Sequence, residues 1–216
     1  MDNVYQAPAS DLTLPEDRPA YSTSQSPFFV TSIPKLLLLY LATLGTYSIY
    51  WFYKHWQIQK RVQGADVSPA LRSIFQLLFT HSLFARIADA YYRETFTVWR
   101  YSGVAWLYII AGLLSRVADK AAERATEINA LHAASLLTLL LTVLPLCIAQ
   151  KHANSAARDP KGLSNKHIGK LNLLFIIPGG LFWAFAFLGY AIMAGLVPES
   201  ALAGIGVFYE QIFGTD

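Results

Sequence analysis

Along the chain, long apolar runs alternate with short charged connections, and the first run ends in aromatics. Residues 34–53 carry no charged side chain except Lys35 at the edge. About 20 helical residues at ~1.5 Å each match the ~30 Å hydrocarbon core of a bilayer, so a membrane span is predicted here. Tyr47, Tyr50, Trp51, Tyr53 and Trp56 stand where an interfacial aromatic belt belongs, with Lys54, Lys60 and Arg61 beyond them. Further spans are predicted over 98–117, 130–150 and 171–197. Pro145 lies near the cytoplasmic end of the third, and Pro178-Gly179-Gly180 is a breaker within the fourth.

The run at 69–92 has a different pattern. Ser68-Pro69 reads as a cap and first-turn pair, and the apolar residues behind it are broken by Arg72, Gln76, His81, Arg86 and Asp89. At about 100° per residue Arg72, Gln76, Ser82, Arg86, Asp89 and Arg93 gather on one side, interrupted by Phe75, Phe79 and Leu83. Burying Arg86 and Asp89 at mid-bilayer would cost roughly 2.5–3.5 kcal/mol per charge, which an in-plane helix avoids. The expectation is therefore all-α: a polytopic transmembrane helical bundle of about four spans plus one amphipathic helix at the cytoplasmic interface, packed under the bundle. A Pro-, Ser-, Asp- and Thr-rich tail over 1–33, predicted disordered and without a cleavable secretory signal, precedes it, and a short C-terminal tail over 198–216 follows. One alternative stays open, because Thr43-Leu44-Gly45-Thr46 also reads as a turn that would make the first segment a re-entrant hairpin.

Charge then orients the bundle. Segments 54–72 and 151–170 carry +3 and +4, whereas 116–129 and 199–216 carry 0 and −3. The positive-inside rule makes the first two cytoplasmic and leaves both termini outside a four-span protein. Composition agrees with a membrane location, at 54% hydrophobic against 14% charged residues. A net charge of +3 without a basic face interleaved with aromatics gives nucleic acid no surface to bind. The expected partners are the lipid bilayer and another membrane protein or a second copy of the chain.

Candidate chemistry is sparse. The single cysteine, Cys147, excludes an intramolecular disulfide. His55, His81, His132, His152 and His167 fall on different segments with no paired spacing, so no metal or other cofactor is called for. Neither GxSxG nor GxGD occurs, and catalysis has no motif behind it. Ionisable groups near a bilayer are functional candidates by default, which singles out His81, Arg86 and Asp89; for Arg86 and Asp89, three apart, a local ion pair is the plainer reading. Gly180 with Ala184, and Ala191 with Gly195, are spaced four apart and are candidates for close helix packing.

The phrase Thr43-x-Gly45-x-Tyr47-x-x-Tyr50-Trp51-Phe52-Tyr53-Lys54, followed by Pro69-x-x-Arg72-x-x-Phe75 and by Gln150, Asn154, Asp159-Pro160-x-Gly162, Asn165 and Asn172, resembles an uncharacterised family of bacterial integral membrane proteins. That resemblance implies location and architecture, in a bacterial inner membrane, and no activity. The function expected is a non-enzymatic accessory, scaffold or assembly subunit. A small-solute or ion transporter using Pro178–Gly180 and the Arg86/Asp89 helix is the runner-up, and a small membrane redox or lipid-handling enzyme using His81 or His132 comes third.

Overall fold

A computed structural model describes residues 25–124 and 130–198. These fold into helices α1 (Ile33–Ala42), α2 (Tyr47–Gln63), α3 (Pro69–Ile74), α4 (Gln76–Thr95), α5 (Tyr101–Ala122), α6 (Ala130–Ala156) and α7 (Lys170–Met193), with a 3-10 turn at Leu163–Asn165 and no strand among the described residues. The expected tails fall mostly outside the described residues, as does part of the 116–129 connection.

The expected first span does not form. α1 ends after ten residues, about 15 Å, and the backbone turns through left-handed conformations at Leu44 and Gly45 before α2 runs back. Among the described residues three helices are long and apolar enough to cross a membrane, within Tyr101–Ala122, His132–Ala156 and Lys170–Ile192, rather than the four expected. The reversal is stable among apolar neighbours because its polar groups are satisfied inside the protein. Gly45 N–H donates to Tyr40 O at 2.8 Å, Thr43 Oγ1 to Leu39 O at 2.8 Å, and Tyr47 N–H to Thr43 Oγ1 at 2.9 Å. From α7 the Trp183 indole donates to Leu41 O at 2.9 Å.

The 69–92 helix is likewise broken, at Phe75, into α3 and α4. Instead of lying beneath the bundle, α4 stands beside α5 and α6. Leu77 meets Gly112, the His81 and Trp106 rings lie 5.1 Å apart, Phe84 and Trp99 5.8 Å, and Tyr91 and His152 4.7 Å. α3 packs back along α2, so that the α1–α2 hairpin and the α3–α4 bend at Phe75 stand side by side. They touch where Gln76 Nε2 donates to Ser48 Oγ at 3.0 Å. Below this contact Trp51, Phe52, Trp56, Leu83, Phe84, Ile87 and Leu146 form a wholly buried core.

At the other end an extended segment, 26–32, is held by side-chain amides. Gln59 donates to Pro27 O at 2.8 Å, Gln150 to Phe29 O at 2.9 Å, Asn165 to Val30 O at 2.9 Å and Asn154 to Thr31 O at 2.9 Å. Gln150 Oε1 also accepts from the Trp51 indole at 2.5 Å. Gln150, Asn154 and Asn165 are thus occupied in binding the chain's own backbone. Gly162 belongs with them: it adopts φ 65°, and a Cβ there would lie 2.5 Å from the Thr31 carbonyl. Asp159 caps the same loop through the N–H groups of Leu163 and Ser164, both at 2.9 Å. Against a desolvation that would raise it, these bonds hold the Asp159 carboxyl below its usual range. Residues 26–32 therefore lie at the same end as 150–167.

Candidate functional site

Above the α1–α2 turn and the bend at Phe75 the helices do not close on one another. A chamber of about 240 Å³ remains between the α1–α2 turn, the start of α4, and the outer halves of α5 and α6. Its walls carry Tyr40, Ser48, Gln76, Tyr108 and Thr142, each buried, with Ser115 partly buried above them. Tyr40 lies beside Thr142, and Tyr108 beside Ser48. Arg116 and Asp119, both exposed, stand at the rim.

The arrangement has a local cause. Gln76 can point inward because the helix break at Phe75 turns α4 away from α3, and Ser48 follows directly on the α1–α2 turn. Neither position reaches this level if 34–53 and 69–92 are continuous helices. The amide of Gln76 spends one donor on Ser48, while its Oε1 is buried with no partner. That oxygen lines the cavity, where water or the donor group of a guest can reach it. At ~30 Å³ per water the space holds about eight waters, or one solute of comparable size. The walls offer hydroxyl and amide groups that both donate and accept, and the rim offers one cation and one anion. Asp119 accepts from Ser135 Oγ on α6, which fixes the acidic side of the rim.

The positions expected from the sequence are dispersed. His81 is half-buried on the outer side of α4, edge-on to Trp106, with Nε2 unpartnered, and lines an apolar groove outside the chamber. Arg86 lies over the Trp56 ring at 5.7 Å, where Arg72 also sits at 4.4 Å. Asp89 is exposed one turn further on and makes no ion pair with Arg86. Gly180 has nothing within 4 Å, and Ala184 is exposed on α7. Ala191 is half-buried in the last turn of α7, and Gly195 lies past the end of that helix with φ 68°. The close helix contact belongs to Gly179, where a Cβ would lie 2.1 Å from Ala42 O.

Sequence reading missed Ser48, Gln76, Tyr108 and Thr142. Their only signal is a polar side chain within an apolar run, repeated on four helices, and nothing in the order of residues says that the four converge. No group of three or more His, Cys, Asp or Glu side chains suited to a metal occurs among the described residues. Compared with family models, with curated proteins and with solved structures, the chain matches none, and the reading of its function rests on its own residues.

Proposed function

We propose that this chain is a non-enzymatic, multi-pass protein of the bacterial inner membrane that takes a small polar solute into the chamber beside the α1–α2 turn and the Phe75 bend, as a small-solute or ion transporter. One observation carries this reading: the α1–α2 hairpin turn and the helix break at Phe75 meet at a cavity lined by a buried amide acceptor that has no partner within the protein. Broken helices lining a polar cavity are the arrangement by which membrane proteins hold polar cargo in an apolar surrounding. The cation excess of 54–72 and 151–170 supports placing those loops in the cytoplasm, so that the chamber faces the opposite side.

The test is flux of isotopically labelled glycerol and glycine into proteoliposomes. Wild type is expected to pass at least one of the two, and Gln76→Leu to lower that flux about tenfold, the worth of roughly 1.4 kcal/mol for one hydrogen bond. Flux equal to that of empty liposomes sinks the reading.

A second reading, an accessory or assembly subunit, is favoured by α7. Among the described helices α1 packs against it, and α6 touches it through the His132–Tyr190 ring contact, leaving nearly all of its apolar surface outward. Recovery of a stoichiometric membrane partner after gentle detergent extraction, with no solute flux, supports it.

A further inference from the structure

At the end of the molecule remote from the chamber, a second cavity of about 390 Å³ opens beside α2. Lys54 and Arg61 line it, with Tyr50, Gln57, Ser164 and Asn165, and no acidic side chain does. The Lys54 ammonium uses one donor on Gln57 Oε1 at 3.1 Å, and Arg61 is exposed with no ion pair. Asn165 also receives the buried ammonium of Lys35 at 2.7 Å, whose other acceptor is the His167 carbonyl, again neutral. Lys54 and Arg61 thus line the cavity without a salt bridge among the described residues, Lys35 reaches the Asn165 of the same lining, and the neighbouring Asp159 carboxylate is engaged by the N–H groups of Leu163 and Ser164.

Tyr50 lines a second, adjoining space. On its other side a cleft of about 410 Å³ runs between the α1–α2 hairpin and α7, walled by Leu39, Tyr47, Leu171, Leu174 and Phe175. The cleft extends from Thr43 and Thr46 at the apex to Leu171 at the foot of α7. The cleft thus runs along α7, walled mainly by apolar side chains, and Tyr50 separates it from the cations. Polarity and direction match a lipid whose chain lies along α7 and whose headgroup lies beyond Tyr50. Cations without acidic partners, at the end where the cation-rich loops gather, complement the anionic headgroups of a cytoplasmic leaflet.

The geometry points to a binding site for one anionic phospholipid, its phosphate held by Lys54 and Arg61 and an acyl chain seated between α1 and α7. The lipid would fill the gap between the α1–α2 hairpin and α7 on the near side of the Gly179 contact. This site does not depend on the chamber being a solute site.

The test is thermal unfolding of the full chain in a neutral detergent, with phosphatidylglycerol, phosphatidylcholine or inorganic phosphate added. Phosphatidylglycerol is expected to raise Tm by about 5 °C over phosphatidylcholine. The Lys54→Gln/Arg61→Gln variant should lose that difference, and Leu174→Trp, which fills the cleft from an exposed position, should reduce it. The charge-keeping Lys54→Arg/Arg61→Lys variant should retain it, and native mass spectrometry of the wild type should show one phosphatidylglycerol held in preference to phosphatidylcholine. Equal shifts from both lipids, the full shift from inorganic phosphate, or an undiminished difference in the Gln variant would each overturn the proposal.

Discussion

His55 shows what one residue's surroundings do to its chemistry. It is wholly buried among Phe28, Phe29 and Trp51, and its Nε2 lies 3.4 Å from Gln150 Oε1. Burial pushes its pKa down to about 3, although the Gln150 contact works in the opposite direction. The folded protein keeps the ring neutral where an unfolded chain, titrating near 6.5, takes up a proton. Between these values the unfolded state binds more protons, so stability falls as pH drops below about 6.5 and is constant above it. Lowering pH from 6.5 to 5 should cost about 2 kcal/mol through this group alone. Thermal unfolding against pH checks this: His55→Gln should flatten the profile over that interval, and an unchanged slope would remove His55 as its source.

At the scale of elements, the attachment of α7 turns on a single glycine. Gly179 sits against the Ala42 carbonyl so closely that a methyl group has no place, and the neighbour is backbone, which cannot swing aside. Gly180, the next residue, faces open space. Gly179→Ala should therefore loosen α7 from α1 and cost on the order of 1–3 kcal/mol, while Gly180→Ala should be close to neutral within the chain. Unfolding midpoints in detergent, with Trp183 emission as a reporter of its bond to Leu41 O, distinguish the two. Equal effects would show that close approach at Gly179 is not what holds the helix.

For the whole molecule the decisive feature is that the segment before α1 shares an end with 150–167. With α1–α2 a hairpin, residues 26–32 lie at the end of the cation-rich loops, whereas a straight first span would place them at the other. In a Cys147→Ala background, Ser10→Cys should resist an impermeant thiol reagent in intact cells and react after lysis, and Ser200→Cys should react in both. Labelling of position 10 from outside would restore the straight span and remove the hairpin floor from beneath the chamber.

Fold class was legible in the sequence because apolar run length and helix rise are local quantities, and so were α5, α6 and α7 with their charged connections. Position 43–46 was legible only as an alternative: apolar content measures whether a segment prefers lipid, not whether it passes through it once or doubles back. What chose the hairpin was satisfaction of the turn's polar groups, and one donor, Trp183, lies about 140 residues away in sequence. The same holds for the chamber. Ser48, Gln76, Tyr108 and Thr142 are unremarkable polar residues on four helices, and their proximity exists only once both breaks are made. Helix formation depends on each residue and its neighbours within a turn, and the sequence determines it directly. Convergence of side chains depends on where helices stop and which surfaces they share, and only the tertiary structure decides that.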